Sequence, residues 1–161
     1  MNGTTKRKWR LYLDTSVFGG CFDASEGWNV DSLRVIGYVL TGKAELVTSE
    51  VVERELAPAP AKIREFYQGV PEDCKRRVPL TRKVEGLADA YLSAGVVGKR
   101  WTDDCRHVAL ATIAEADAIV SWNFRHIVRL DRIRGFNAVN VAEGYAMIQI
   151  ITPKEVNLYD D

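Results

Sequence analysis

Three carboxylates stand where the sequence could assemble a site for a divalent cation. Asp14 ends the apolar run at residues 11–13, Glu55 lies beside the apolar side of "SEVVEREL", and Asp104 opens the helical pattern "DCRHVALATIAEA". Brought within about 4 Å of one another, such groups would repel by roughly 4 kcal/mol per pair at an effective dielectric of about 20, so a cation has to accompany them. Oxygen ligands suit Mg²⁺ or Mn²⁺, which keep bound waters that can attack a phosphodiester. These residue types therefore predict metal-assisted phosphodiester hydrolysis.

Apolar periodicity along the chain predicts strands that alternate with helices. The predicted strands are residues 10–14, 44–49, 117–122 and 147–153. The predicted helices lie in residues 29–43, 50–57, 61–69, 81–95, 103–116 and 124–134. The third and fourth of these helices are expected to form a helical insert around a turn at Pro71 and Pro79. Alternating strands and helices indicate βα units, so we predict an α/β fold, a three-layer α/β/α sandwich with a mostly parallel central sheet.

The carboxyl edge of this sheet is where the candidate site is expected, because ligands of open parallel sheets bind there. Asp14 ends the first strand, and Ser121 and Asn123 end the strand "AIVSWN" at the same edge. Asp117 begins that strand and would lie roughly 13 Å away, at four residues of about 3.3 Å each. Asp103 is also excluded, because consecutive helical residues point about 100 degrees apart. Asp104 is therefore the inward-facing carboxylate of its helix.

Composition limits the classes of protein to which the chain can belong. Of its 161 residues, 47% are hydrophobic and 27% charged, which predicts one folded domain over residues 1–161, with residues 1–8 as a flexible N-terminal extension. Lys and Arg number 22, as do Asp and Glu, so net charge indicates no particular partner. Three unpaired cysteines predict reduced thiols and a cytoplasmic location. No apolar run approaches the roughly 20 residues that span a membrane.

The chain resembles the PIN-domain nucleases, and within them the VapC-type toxins of prokaryotic toxin–antitoxin pairs. The motifs that carry the resemblance are "LDTS", "SEVVEREL" and "DCRHVALATIAEADAIVSWNFRHI". The resemblance implies that Asp14, Glu55 and Asp104 form an acidic site for Mg²⁺ or Mn²⁺. Asn123 stands where many members carry a fourth Asp, so all four residues are candidate catalytic residues and metal ligands. Because Asn offers a neutral oxygen, a second metal should be held less firmly.

Hydroxyl and basic side chains near these carboxylates are the candidate substrate contacts. The hydroxyl groups would hold metal waters or a phosphate, and the basic groups would contact the phosphates of RNA. The candidates are Thr15, Ser16, Ser121, Lys99, Arg100, Arg125 and Arg129. Arg125 and Arg129 would share one helical face with Arg132, and Trp101 offers a stacking ring beside Arg100. The alternative interpretation is that Thr15 and Ser16 cap the next segment, that Asn123 is a plain turn or N-cap residue, and that the arginines form a solvated face.

The resemblance implies endonucleolytic cleavage of RNA by a metal-activated water, in a toxin paired with an antitoxin protein from an adjacent gene. A homodimer is a further partner implied by the resemblance. Two alternatives stay open: a catalytically weakened PIN-like domain that binds RNA or protein, and a structural subunit. His107, three residues after Asp104, could orient that carboxylate or be a buried, satisfied core histidine. Phosphate-binding glycine loops and a GxSxG motif do not occur in the sequence.

Overall fold

A computed structural model describes residues 7–159 of the chain. Strands β1 to β5 of this part of the chain are Trp9–Leu13, Ala44–Ser49, Lys75–Val78, Ala118–Val120 and Gln149–Ile151. Helices α1 to α7 are Thr15–Gly20, Trp28–Leu40, Glu50–Leu56, Ala61–Gly69, Arg82–Ser93, Thr102–Ile113 and Leu130–Ala142. Residues 1–6 of the predicted N-terminal extension lie outside the described residues, and Arg7 and Lys8 lead directly into β1.

All strands of the sheet are parallel, in the order β3-β2-β1-β4-β5. The chain moves outward from β1 through β2 to β3, and then crosses back to β4 and β5 on the other side of β1. Because crossovers between parallel strands are right-handed, this strand order puts α1–α4 on one face and α5–α7 on the other. The helix contacts agree, since α1 packs on α2, α3 and α4, and α5 packs on α6 and α7. The predicted three-layer α/β/α sandwich is therefore confirmed. The connections change direction between β1 and β4, which makes this the point where ligands of such sheets bind.

The central strand β1 and its neighbour β4 are covered on both faces. Leu11, Tyr12 and Leu13 of β1 are all buried, as are the three residues of β4. Consecutive buried residues are typical of parallel strands between two helical layers, whereas a sheet with one wet face alternates apolar and polar residues. This burial fixes the register of β1 against β4, with Leu13 opposite Val120.

The structure differs from the sequence-based prediction in three elements. The predicted helical insert was wrong, because β3 separates α4 from α5 and pairs with β2 as the edge of the sheet. The strand was missed because its sequence, "KRRV", has the charged character of a protected edge strand rather than a buried one. Helix α1 was also missed, and α7 begins at Leu130 instead of residue 124.

Neither a disulfide nor a membrane-crossing helix was found in residues 7–159. Cys21, Cys74 and Cys105 are free thiols, and burial raises the pKa of both Cys21 and Cys105 to about 12. Within the same residues no helix combines the length and the hydropathy that crossing a bilayer requires.

Two adjacent glycines of α1 provide a test of the packing behind the site. A Cβ at Gly20 would lie 2.6 Å from both Ser32 Oγ and Trp122 Nε1, whereas a Cβ at Gly19 would meet nothing within 4 Å. We expect Gly20→Ala to lower the free energy of unfolding by about 1–3 kcal/mol through overpacking. Gly19→Ala should instead raise it by about 0.5 kcal/mol, because alanine favours the helix. Urea denaturation of both variants checks this, and equal effects would contradict the close packing at Gly20.

Candidate active site

Asp14 lies at the carboxyl end of β1, at the point where the connections of the sheet change direction. Its Oδ1 accepts hydrogen bonds from Ser16 N (2.6 Å) and Ser16 Oγ (2.5 Å), and thereby caps the N-terminus of α1. Its Oδ2 accepts a hydrogen bond from Ser121 Oγ at 2.7 Å. The contact follows from the register, because the residues after Leu13 and Val120 are Asp14 and Ser121. The first strand thus ends on a carboxylate that is only 4% exposed.

Glu55 reaches the same edge from α3 and is held by a buried histidine. Its Oε1 accepts hydrogen bonds from His107 Nε2 and, at 3.3 Å, from Thr15 Oγ1. The other ring nitrogen, His107 Nδ1, lies 2.7 Å from the Tyr12 hydroxyl. That hydroxyl lies 2.8 Å from Ser49 Oγ. A continuous hydrogen-bonded chain therefore runs from the candidate site into the core, and His107 contacts Glu55 rather than Asp104.

Asp104 lies in the first turn of α6 and faces the site. Its Oδ1 accepts a hydrogen bond from Asn123 Nδ2 at 3.2 Å, and its Oδ2 lies 3.2 Å from His126 Nδ1. The Trp101 ring stacks on the His126 ring at a centroid distance of 3.9 Å. One hydrogen-bonding side chain, Asn123, therefore orients this carboxylate, and a histidine ring that is itself stacked on Trp101 lies beside it.

The adjacent carboxylate, Asp103, has a different environment. Its Oδ1 lies 2.8 Å from Arg54 Nη2 and 2.8 Å from Arg106 Nη1. Burial opposes ionisation, but the Arg106 hydrogen bond and the two arginine charges lower the pKa of Asp103. Asp103 is therefore a salt-bridged surface residue, as the 100-degree rotation between neighbouring helical positions predicts. Asp103 and Asp104 form a matched pair for experiments.

Negative charge in the site is only partly compensated. Burial raises the pKa of Asp104 to about 6, and the charges of Asp14 and Glu55 act in the same direction. Burial favours a neutral His107, but its hydrogen bond to Glu55 and the nearby carboxylates raise the pKa of this ring. Within residues 7–159 no Arg or Lys forms a salt bridge with Asp14, Glu55 or Asp104. The three segments therefore bring together carboxylates that repel one another.

The donor chemistry of this site fits a hard divalent cation, although the ligands are not preassembled. Among residues 7–159 no group of three or more His, Cys, Asp or Glu side chains is arranged to hold a metal ion. All four candidate ligands already accept hydrogen bonds, since Asp14 accepts bonds from Ser16 and Ser121, Glu55 from His107 and Asp104 from Asn123. The amide oxygen of Asn123 accepts the backbone N–H groups of Arg125 and His126, so the donors that face the site are carboxylate oxygens, which suit Mg²⁺ or Mn²⁺. A cation would remove the part of the carboxylate repulsion that remains uncompensated.

An open cleft of about 390 Å³ gives access to Asp104. The residues that line it include Glu55, Arg100, Trp101, Asp104, Asn123 and His126. Lys99 and Arg100 are exposed in the turn Lys99–Trp101, which directly precedes α6. The cleft therefore combines acidic groups at its base with a cation and an aromatic ring at its margin.

The arginines predicted to form a stripe have separate environments. Residues 124–127 form a turn, in which Asn123 Oδ1 accepts the N–H of Arg125 (3.2 Å) and of His126 (2.9 Å). Arg129, the residue before α7, forms a two-bond salt bridge with Asp131 in the first turn of that helix, at 2.6 and 2.7 Å. The single helical face expected for these side chains is therefore not formed, because Arg125 and Arg129 precede the first residue of α7.

No protein-family model matches the chain, and no curated protein sequence matches it. Among solved structures, VapC20 of Mycobacterium tuberculosis, a PIN-domain toxin described as cleaving the sarcin–ricin loop, superposes with a TM-score of 0.56. The chain has a PIN-like fold. The match covers 86% of this chain and 98% of VapC20 at 12% sequence identity, so the PIN-like likeness is one of fold.

Sequence reasoning missed the side chains that support the carboxylates of this PIN-like domain. His126 gives no signal in the sequence, because its approach to Asp104 depends on the turn that follows Asn123. Tyr12 appears only as a buried residue of the first strand, although its hydroxyl faces His107. Spacing along a helix can place His107 near Asp104, but it cannot show that Glu55 on another helix accepts the hydrogen bond.

Tyr12→Phe tests the buried chain of hydrogen bonds behind Glu55. The variant keeps the ring but leaves His107 Nδ1 and Ser49 Oγ without the hydroxyl that each contacts. We expect the free energy of unfolding to fall by about 1–3 kcal/mol, the cost of leaving buried polar groups unsatisfied. Tyr159→Phe, at an exposed position, should change it by less than about 0.5 kcal/mol. Urea denaturation measures the free energy of unfolding of both variants. A Tyr12→Phe variant as stable as the wild type would contradict the hydrogen-bonded series behind Glu55.

Proposed function

We propose that the chain works as one PIN-like domain and is a metal-dependent endoribonuclease. One observation carries the proposal: Asp14, Glu55 and Asp104, from three distant segments, converge at the carboxyl edge of the sheet without an Arg or Lys partner among residues 7–159. Carboxylates at a ligand-binding edge whose charge is only partly compensated are costly to the fold and therefore point to function. The fold of a toxin described as cleaving the sarcin–ricin loop supports the proposal.

Asp14, Glu55 and Asp104 would hold Mg²⁺ or Mn²⁺. Asn123 would join them through a rotation of its side chain that frees Oδ1 from the N–H groups of Arg125 and His126. When bound, the ion would supply a nucleophilic water and neutralise charge on the phosphate. His107 keeps the Glu55 carboxylate at the site, and the Asn123 amide orients Asp104. These supports reduce the reorganisation that the reaction requires.

The substrate would be RNA, held along the margin of the acidic cleft. Arg100 lies in the lining of that cleft and would pair with a phosphate, with Lys99 beside it. Arg125 and Arg129 would contact phosphates farther along the strand. The hydroxyls of Thr15, Ser16 and Ser121 surround Asp14 and Glu55, where they can donate to a phosphate or to water.

The biological role that we propose is that of a toxin in a toxin–antitoxin pair in the cytoplasm. VapC20 is described as a toxin, and its fold is the one found here. An antitoxin protein from an adjacent gene would then cover the acidic cleft, and a second copy of the chain would form a homodimer. An adjacent small open reading frame encoding a DNA-binding domain and a tail would support this role.

A second candidate function is a PIN-like module that binds RNA or protein without efficient cleavage. Two observations favour it: no group of three metal-binding side chains is preassembled in residues 7–159, and Asn123 is neutral. Neutral ligands lower the affinity of a site for divalent cations. Binding of RNA without cleavage at saturating Mn²⁺ would select this alternative.

Metal dependence of RNA cleavage is the direct test of the leading function. Purified protein is incubated with a labelled single-stranded RNA in Mn²⁺, in Mg²⁺ and in EDTA, and the products are separated by electrophoresis. We expect internal cleavage with either ion and none in EDTA. Carboxylates alone can neither neutralise the charge of the phosphate nor lower the pKa of the attacking water. Ca²⁺ at the same concentration controls for ionic strength. Cleavage that persists at full rate in EDTA would reject the proposal.

A further inference from the structure

The turn after Asn123 exposes an aromatic ring beside a guanidinium group. Phe124 is 48% exposed, and Arg125 is exposed next to it. Among residues 7–159 no carboxylate forms a salt bridge with Arg125. The turn is fixed, because Asn123 Oδ1 accepts the N–H groups of Arg125 and His126. An exposed ring and an unpaired cation are therefore held in a defined place.

The Phe124 ring rests on two tryptophans that are themselves fixed. Trp28 and Trp122 are stacked in parallel, with centroids 4.6 Å apart and an interplanar angle of 5°. The Phe124 centroid lies 6.0 Å from that of Trp28 and 6.2 Å from that of Trp122. Trp122 Nε1 donates to Ser32 Oγ at 2.8 Å. One side of the Phe124 ring is thus supported, while almost half of the residue faces solvent.

The aromatic cluster of Trp28, Trp122 and Phe124 adjoins the candidate active site. Asn123 separates Phe124 from the acidic cleft and donates its amide to Asp104. The Trp101 ring, which like Asn123 lines the cleft, stacks on His126 of the same turn. The exposed ring of Phe124 and the charge of Arg125 therefore lie in the same short turn as two residues that line the cleft, Asn123 and His126.

We infer that Phe124 stacks on the base of an unpaired nucleotide next to the cleft, and that Arg125 contacts a phosphate of the same strand. The inference deepens the proposed function, on which it rests for the kind of substrate, by assigning the recognition of single-stranded RNA to this turn. Unpaired bases present their faces to aromatic side chains, whereas bases in a duplex are already stacked. The contact gives a preference for unpaired RNA without reading its sequence, since every base has a face to stack.

Binding in EDTA tests the inference apart from catalysis. Affinity for a fluorescent single-stranded RNA, and for the same RNA in a duplex, is measured by anisotropy. We expect Phe124→Leu to weaken single-strand binding about fivefold or more, and Phe124→Tyr to bind like the wild type, because only the ring is required. Duplex affinity should not change. Trp9→Leu is the matched control, since Trp9 is 45% exposed beside Arg7 but lies at the opposite edge of the sheet.

Salt dependence tests the phosphate contact separately. Each phosphate that a protein neutralises on a single strand contributes about 0.7 to the slope of log affinity against log salt concentration. We expect Arg125→Gln to reduce the magnitude of this slope by about 0.7, and Arg125→Lys to retain it. Arg7→Gln, beside the control tryptophan, should leave the slope unchanged.

The outcomes separate this inference from the proposed nuclease activity. Phe124→Leu that binds single strands as tightly as the wild type, or that weakens duplex binding equally, would overturn the inference even if the wild type cleaves RNA. A ring-dependent preference for single strands in a protein that cleaves nothing would support the inference and reject the nuclease. Urea denaturation of each variant verifies that the fold is retained.

Discussion

Asp104→Asn should lower the rate of RNA cleavage at least about 100-fold, since loss of a group that merely supports a metal ligand already costs about 10- to 100-fold. The substitution keeps the shape of the side chain and its contact with the Asn123 amide while removing the charge. A neutral amide oxygen at this position would weaken cation binding. The reaction would then lose the nucleophilic water and the charge neutralisation that the ion supplies. Initial rates of cleavage of a single-stranded RNA in Mn²⁺ measure the effect.

Asp103→Asn is the matched control for this experiment. It makes the same chemical change one residue away, on the same helix, but at a carboxylate that pairs with Arg54 and Arg106 instead of facing the site. Exposed salt bridges contribute about 0–1 kcal/mol, so cleavage should remain within about fivefold of the wild type. Equal losses in the two variants would mean that net charge near the cleft matters and that the assignment of Asp104 is wrong.

Loss of the same charge should stabilise the protein when metal is absent. Burial, with the charges of Asp14 and Glu55, raises the pKa of Asp104 from its ordinary value of 3.8 to about 6. Two pKa units correspond to about 3 kcal/mol, and partial exposure of the carboxylate to solvent reduces this figure. We expect Asp104→Asn to increase the free energy of unfolding in EDTA at neutral pH by about 1–2 kcal/mol, measured by urea denaturation.

The sign of the pKa shift also fixes how this gain varies with pH. Because the folded-state value lies above the unfolded one, the wild-type protein takes up a proton on folding, and its stability rises as pH falls from about 7 toward about 4. Asn does not titrate, and the other groups at the site, which include His107, Asp14 and Glu55, are common to both proteins. The advantage of the variant should therefore shrink over this window. A constant difference would show that repacking, and not charge, causes the gain.

Addition of Mn²⁺ should reverse the order of stability. A ligand that binds only the folded state stabilises it by mass action, so the wild-type protein should gain more than Asp104→Asn at the same ion concentration. The same denaturation curves in Mn²⁺ and in EDTA give the comparison. Asp103→Asn should respond to Mn²⁺ like the wild type, because its carboxylate is occupied by two arginines.

The sequence is informative about the central strands because burial there is local and continuous. The apolar run before Asp14 and the β-branched run before Ser121 each indicate a covered parallel strand, and parallel pairing brings their ends together. The position of Asp104 on the inward face of its helix follows from helical periodicity alone. These features depend on near neighbours in the sequence.

Features that depend on distant neighbours could not be predicted in this way. The charged residues of β3 form a strand because they pair with β2. No apolar pattern in the sequence therefore predicts this strand. The start of α7 depends on Asn123, whose side chain accepts two backbone N–H groups and holds a turn where periodicity indicates helix. The contact between His107 and Glu55 joins two residues that lie 52 positions apart in the sequence, on different helices. Such pairings arise only once the layers have packed.

Asp14 has two roles, because the carboxylate proposed to bind a cation also caps α1 by accepting the N–H of Ser16. Loss of such a cap costs about 1 kcal/mol. A descendant that abandoned nuclease chemistry would still be penalised for losing Asp14, whereas shedding Asp104 would relieve repulsion. In related sequences without nuclease activity, we therefore expect Asp104 to be substituted earlier and Asp14 to be retained longer. An intact Asp14 is therefore a poor guide to surviving activity, and Asp104 a good one.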